Sequence, residues 1–164
     1  MKKLIIAAAI TSAVAFSGSA SADGSYAGIA IYDFYNSDIS ITAGTTLNDK
    51  ISIHGQYIDA LDYVLRATGE YELQDNFFAL AGVSHYDSGF TSDTGVIIGA
   101  GYRFNVEGIP LNVKASYDSA VDGFFSVEAS ARYNFTDKLS VEAGYRVNTN
   151  SVNNEFGFGV RLAF

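Results

Sequence analysis

From residue 24 to Phe164, apolar and polar side chains alternate one by one, and the alternation breaks at short intervals into runs of Gly, Asn, Asp and Ser. A period of two puts successive side chains on opposite faces of an extended strand. The pattern predicts ten strands, at about 24–35, 38–47, 50–59, 62–73, 76–86, 93–104, 111–118, 124–135, 139–148 and 154–164. Most have the roughly nine to eleven residues that a tilted strand needs to cross a bilayer. Beyond the first 22 residues no long segment spaces its apolar positions as a helix does, and no linker divides the chain.

The two faces differ in kind. One carries Tyr63, Leu65, Ala67, Tyr71 and Leu73 on the fourth strand, Val96, Ile98, Ala100, Tyr102 and Phe104 on the sixth, and Phe156, Phe158, Val160, Leu162 and Phe164 on the last. The other carries Arg66, Glu70, Glu72, Gly99, Gly101, Arg103, Glu128, Arg132, Glu142, Gly144, Arg146, Gly157, Gly159 and Arg161. Aromatic residues such as Tyr102, Phe104, Tyr133, Phe135 and Phe164 gather toward strand ends, as in an interfacial girdle. Periodicity leaves the sense of the sheet open. A membrane barrel turns the apolar face to lipid and the polar face to its lumen, whereas a soluble barrel or sandwich does the reverse.

A weak repeat sets the order of the strands. The segments 47–57, 73–83 and 135–145 align as a strand end, a short polar turn around Asp49, Asp75 or Asp137, and the next strand start. The repeating unit is therefore a β-hairpin. With both termini on the periplasmic side, these turns and the 105–110 connection face the periplasm. The connections near 36, 60, 87–92, 119–123 and 149–153 then face outward.

Three stretches, Gly101-Tyr-Arg-Phe104, Ala131 to Arg146 and Phe156-Gly-Phe-Gly-Val-Arg-Leu-Ala-Phe164, resemble the small bacterial outer-membrane β-barrel superfamily of OmpA-type barrel domains and their porin-like relatives. The resemblance implies a closed antiparallel up-and-down transmembrane β-barrel, of ten strands here, with eight as the alternative common among relatives. It implies a Gram-negative outer membrane, contact with outer-membrane lipid, and insertion by the barrel-assembly machinery, which reads the terminal strand through Phe164, Leu162 and Val160. The outer connections here are only a few residues long, which argues against a large adhesive surface.

Composition fits this picture. Met1-Lys-Lys3, an apolar run from Leu4 to Phe16 and the small residues Ala20-Ser-Ala22 form a secretory signal peptide, with cleavage expected between Ala22 and Asp23. Domains of 1–22 (signal) and 23–164 (a single barrel) follow. Loss of Lys2 and Lys3 leaves eight basic residues against 18 acidic ones, a net charge of −10 that disfavours nucleic acid. With no cysteine, the exported chain has no disulfide to lean on.

The candidate chemistry is a network of charges on the inner face: Arg66, Glu70, Glu72, Arg103, Lys114, Glu128, Arg132, Glu142, Arg146 and Arg161, with Asp118 and Glu155 nearer the outer rim. Charges withdrawn from bulk water are tolerated when paired, so a ladder of ion pairs is expected. Inward Gly99, Gly101, Gly144, Gly157 and Gly159 are expected to leave space beside it. The outer connections hold Asp38, Asp59, Asp62, Asp87, Asp93 and Asp122 and no Lys or Arg, a rim that favours cations over anionic sugars.

Catalytic motifs are lacking. Ser52 and His54 share the inner face, and Ser84-His85-Tyr86-Asp87 lies at an outer strand end, but neither supplies a nucleophile with an oriented base. Two separated histidines do not make a metal site, and no glycine-rich loop opens a helix for a nucleotide, so no metal or cofactor is expected. The expected function is a monomeric, non-catalytic barrel with a structural or envelope-interaction role. The alternatives are a narrow channel for water, ions or small solutes and a lipid-active enzyme.

Overall fold

The computed structural model describes residues 24–33, 37–60 and 62–164; the signal segment and the Ala22–Asp23 cleavage point lie outside them. The alternation yields ten strands: β1 (Tyr26–Asp33), β2 (Asp38–Asn48), β3 (Ile51–Ile58), β4 (Tyr63–Glu72), β5 (Phe77–Asp87), β6 (Ser92–Val106), β7 (Ile109–Asp118), β8 (Phe124–Asn134), β9 (Leu139–Asn148) and β10 (Glu155–Ala163). Each pairs antiparallel with its sequence neighbours, and β1 also pairs with β10, Tyr26 opposite Ala163 and Asp33 opposite Phe156. The sheet is thus a closed ring of ten, not eight, and no row of backbone donors and acceptors is left at an edge. A last clamp joins the two ends, where the Phe164 amide donates to the Ser25 carbonyl at 3.0 Å.

Side chains of the first turn residue fix several hairpins. Asn48 Oδ1 accepts from the amides of Lys50 and Ile51 at 2.9 and 3.0 Å, and Thr136 Oγ1 accepts from those of Lys138 and Leu139 at 3.2 and 2.9 Å. The 105–110 connection is shorter than expected, because β6 and β7 stay paired as far as Val106 and Ile109. Only Glu107 and Gly108 turn, with φ of 52° and 86°, the two positive values that a tight hairpin matching the strand twist demands. Pro110 lies inside β7 opposite Asn105, close to this turn, where a missing donor disturbs little of the ladder.

The barrel is polar inside and apolar outside, which removes the soluble-sandwich alternative. Ile31, Val96, Ile98, Phe125, Val127 and Phe158 are half exposed or more on the outer surface, whereas Arg66, Glu70 and Glu155 are buried. The inward glycines differ in the space they leave. A side chain at Gly101 would collide with the Phe78 ring, and one at Gly157 with the Tyr32 ring, whereas one at Gly144 would meet nothing nearer than 3.3 Å. Gly144, Gly157 and Gly159 line the lumenal cavity.

Two apolar clusters sit within the ring. One, Phe78, Leu80 and Ile97, lines one wall of β5 and β6. The other, Ile58, Ala60, Val64, Tyr86, Ala120 and Phe124, flanked by Tyr32 and Val152, lies at the end away from the termini. Residues of the connections fold inward to complete it, and Ala60 and Ala120 have no exposed surface. Asp118 Oδ1 holds the β7–β8 connection in place by accepting from the Ala120 amide at 3.0 Å. Phe124, almost wholly buried, meets Tyr86 edge-on at 6.1 Å. Phe124→Ala should therefore cost about 3–5 kcal/mol, the usual range for a buried aromatic, read as a lowered urea midpoint for the lipid-reconstituted barrel.

Candidate functional site

The strand register aligns the inner charges before any side chain bends. Lys114 on β7 faces Glu128 on β8, Glu128 faces Arg146 on β9, and Arg146 faces Glu155 on β10. This transverse row alternates in sign. Lys114 Nζ lies 2.9 Å from Glu128 Oε1, Arg146 Nε donates to Glu128 Oε2 at 2.9 Å, and Arg146 Nη1 reaches Glu155 Oε2 at 3.4 Å.

From Glu155 the row crosses the lumen. Arg66 on β4, four strands away around the ring, grips both Glu155 oxygens, Nη1 on Oε2 and Nη2 on Oε1, each at 2.8 Å. The Arg66 Nε and Nη2 groups also donate to Tyr86 Oη at 3.3 and 3.2 Å, and Nη1 to Gln56 Oε1 at 3.3 Å. All five guanidinium donors of Arg66 are thereby used. Tyr86 Oη in turn donates a hydrogen bond to Asp118 Oδ2 at 3.2 Å, and Ser84 Oγ donates to Oδ1 of the same carboxylate at 2.7 Å. Asp118 lies on β7, as Lys114 does, so the polar chain returns to the strand where it began.

A second tier lies nearer the termini. Arg103 on β6 bridges Glu70 and Glu72 on β4 and stacks over the Phe78 ring, 4.1 Å from its centre. Arg132 Nε and Nη2 hold Glu142 Oε2 at 3.1 and 3.0 Å, and Arg161 Nη1 stands 3.6 Å from the same oxygen. Arg161 covers the Tyr26 ring at 3.1 Å, and Tyr26 Oη is 3.0 Å from His54 Nδ1. His54 Nε2 lies 3.4 Å from Glu70 Oε2 without forming a hydrogen bond.

The structure brings all ten charged residues of the proposed network into this lumen and adds two acids. Arg66, Lys114, Arg146, Arg103, Arg132 and Arg161 supply six positive charges; Glu128, Glu155, Asp118, Glu70, Glu72 and Glu142 supply six negative ones. The lumen is neutral, and the chain's acidic surplus lies elsewhere. Glu155 and Asp118, expected near the outer rim, belong to the buried row, and Glu155 is its pivot. Its side chain has no exposed surface, because β10 starts one residue after Asn154 and aims Glu155 straight at Arg66.

Exposure rises along the bore. Arg66 is 6% exposed, whereas Arg132 and Glu142 are 34% and 39% exposed. The interior thus holds a cavity of about 440 Å3, with its least exposed charges beside the apolar cluster and its most exposed ones toward the termini. That cap escaped the strand-by-strand reading, although adjacent apolar pairs such as Tyr57-Ile58, Tyr63-Val64 and Phe124-Phe125 signal strands that are apolar on both faces.

The remaining candidates separate. His54 turns inward to Tyr26, whereas His85 turns outward, its Nδ1 2.7 Å from Thr94 Oγ1. Ser84 binds Asp118 and no histidine. The rim aspartates serve backbone amides: Asp87 Oδ1 accepts from Gly89 at 2.7 Å and Asp93 Oδ2 from Val121 at 2.7 Å. Among the described residues no group of three or more His, Asp or Glu is placed to hold a metal ion. Val160, Leu162 and Phe164 stand on the outer surface of β10.

Removing Glu155 strands two buried guanidinium groups. Glu155→Ala should destabilise the barrel by about 3–5 kcal/mol, and combining it with Arg66→Met should recover a large part of that loss, since an uncompensated charge costs more than an absent pair. Equilibrium unfolding of both single variants and the double variant in lipid vesicles measures the coupling.

No family model and no curated protein matches the chain. Solved structures do resemble it. The β domain of the Bordetella autotransporter BrkA is 14% identical over 86% of this chain and 76% of that one, with a TM-score of 0.50. The KdgM porin is 10% identical over 85% and 98%, with a TM-score of 0.48, and Omp33 of Acinetobacter baumannii 10% identical over 85% and 96%, at 0.45. At such identities the likeness is one of fold: a closed antiparallel barrel, with no preference for the OmpA type.

Proposed function

We propose that this chain is an integral outer-membrane barrel without catalytic activity, whose role is structural or in contact with other envelope components, and whose lumen does not conduct. The observation that carries it is the inside-out distribution of polarity. A continuous belt of exposed Ile, Val, Leu and Phe girdles the ring, far larger than the apolar patches soluble monomers tolerate, while the charges are spent on one another within. Lipid is the solvent in which both faces are stable.

The buried apolar cluster of Ile58, Ala60, Val64, Ala120 and Phe124 speaks against a through-channel, as do the rings of Phe78 at Gly101 and Tyr32 at Gly157. His54 and His85 lie on opposite faces, bonded to Tyr26 and Thr94, and Ser84 donates to Asp118, an arrangement that supports a reading without hydrolytic chemistry. Export through the signal segment at 1–22 and recognition of the terminal strand by the assembly machinery complete the proposal. Phe164 serves the barrel twice in this view, as an outward apolar residue and through its amide clamp on Ser25.

The purified protein should migrate anomalously on a denaturing gel until boiled, and in planar bilayers it should give no stable unitary openings. Steady conductance steps from the unaltered protein would reject the closed lumen. Deleting Phe164 should lower the fraction inserted into outer membranes without changing the heat-modifiable band of whatever does insert, and equal insertion of parent and variant would remove the terminal residue from the assembly signal.

A further inference from the structure

Charge balances over the whole lumen but not within its open mouth. On the wall formed by β8, β9 and β10, two guanidinium groups, Arg132 and Arg161, share the single carboxylate of Glu142. Toward β4, two carboxylates, Glu70 and Glu72, share the single guanidinium of Arg103. The first group carries one positive charge in excess and the second one negative charge. His54 is the only other titratable side chain in contact with the acidic group, and Tyr26, beneath Arg161, the only one stacked on the basic group, among the described residues.

Asn112 stands between the two groups. It occupies the register row that runs from Arg103 on β6 through Asn112 on β7 to Ser130 on β8. Its amide oxygen is buried and has no hydrogen-bond partner. A desolvated amide without a partner is a costly feature to keep, and it is one that a polar guest satisfies. The main vestibule of about 440 Å3 and a smaller cavity of about 250 Å3 beside it both reach Arg103, Asn112, Arg132 and Glu142. Deeper in, Leu80 and Ile97 give the larger space an apolar wall.

We propose that this vestibule binds a small zwitterion of the amino-acid or dipeptide class, with its carboxylate on Arg132 and its ammonium group on the Asn112 amide oxygen, toward the acidic wall of Glu70 and Glu72. A dipolar guest completes both unbalanced walls at once, whereas a simple anion or cation neutralises one and leaves the other. A guanidinium fork matches a carboxylate in donor geometry, and an ammonium group supplies the donor that the Asn112 amide oxygen lacks. The ammonium end also faces the acidic wall, where Glu70 lines the cavity beside Arg103 and His54 and the Glu72 carboxylate is one-third exposed beside Arg103. Short apolar side chains on the guest would face Leu80 and Ile97. Binding requires a folded barrel and holds whether or not the lumen conducts.

Equilibrium dialysis of the detergent-solubilised barrel, its folding verified by heat-modifiable migration, tests the site with L-alanyl-L-alanine and its two blocked forms. The free dipeptide should bind saturably at one site, with the N-acetyl form and the C-terminal amide each at least tenfold weaker. Arg132→Gln should reduce the free dipeptide to the level of its amide. Asn112→Leu should weaken it several-fold with no loss of folded protein, since the Asn112 amide oxygen has no protein partner to lose. Equal binding of all three compounds, or no saturation by the free dipeptide at millimolar concentration, overturns the proposal, and the blocked forms decide the matter even if Arg132→Gln fails to fold.

Discussion

A carboxylate with no access to water must be surrounded by donors, and in this barrel Glu155 imposes that condition on everything around it. Its two oxygens receive Arg66, Arg146 and Asn148, groups from β4 and β9 that meet only once the ring has closed. Arg66 lies 89 residues from Glu155 in sequence, so the contact rewards closure itself and no local element. Had β10 paired with β9 one residue out of register, Glu155 would point at lipid and the fork would be lost. The register of the last strand and the neutrality of the lumen are therefore one constraint seen from two sides.

The apolar cap follows from the same condition. Ion pairs between exposed side chains contribute little, because water screens them, whereas pairs in a dry setting are strong but demand that every donor be satisfied. Covering Arg66 and Glu155 with Ile58, Val64 and Phe124 keeps water out of the row at that end. The glycines facing the lumen act in parallel, since Phe78 over Gly101 and Tyr32 over Gly157 bring rings against the opposing strands and narrow the bore. Toward the termini the described residues form no such cap, and Arg132, Glu142 and Glu72 share their field with solvent.

How much of this was legible beforehand depended on the range of the interaction. The strands were legible because a period of two is a local property, and hairpin succession because each turn lies beside the strands it joins. The ten lumenal charges were legible for the same reason: Lys114, Glu128 and Arg146 need only the correct face and antiparallel neighbours to meet. Glu155 was legible as an acid at the rim end of the last strand but not as the pivot of the row, since that role comes from Arg66 on a strand across the ring. The glycines misled for a related reason, because sequence shows which side chain is missing but not which neighbour occupies the gap. Asn112 left no signal at all, as an inward asparagine on a barrel strand is ordinary until its missing partner is seen.

The contrast between the two ends gives the lumen a direction. At the capped end the cationic and anionic side chains match one for one, each paired within a single linked row, and the arrangement is complete without any guest. At the open end the same number of charges is divided unevenly between two walls, two cations to one acid on the first and two acids to one cation on the second. If stability alone governed the interior, carrying one arginine of the first wall on the second instead would pair both walls fully, one cation to one acid on the first and two to two on the second. The unevenness falls where the bore is open and solvated, which is where unpaired charge costs least and where a solute can arrive.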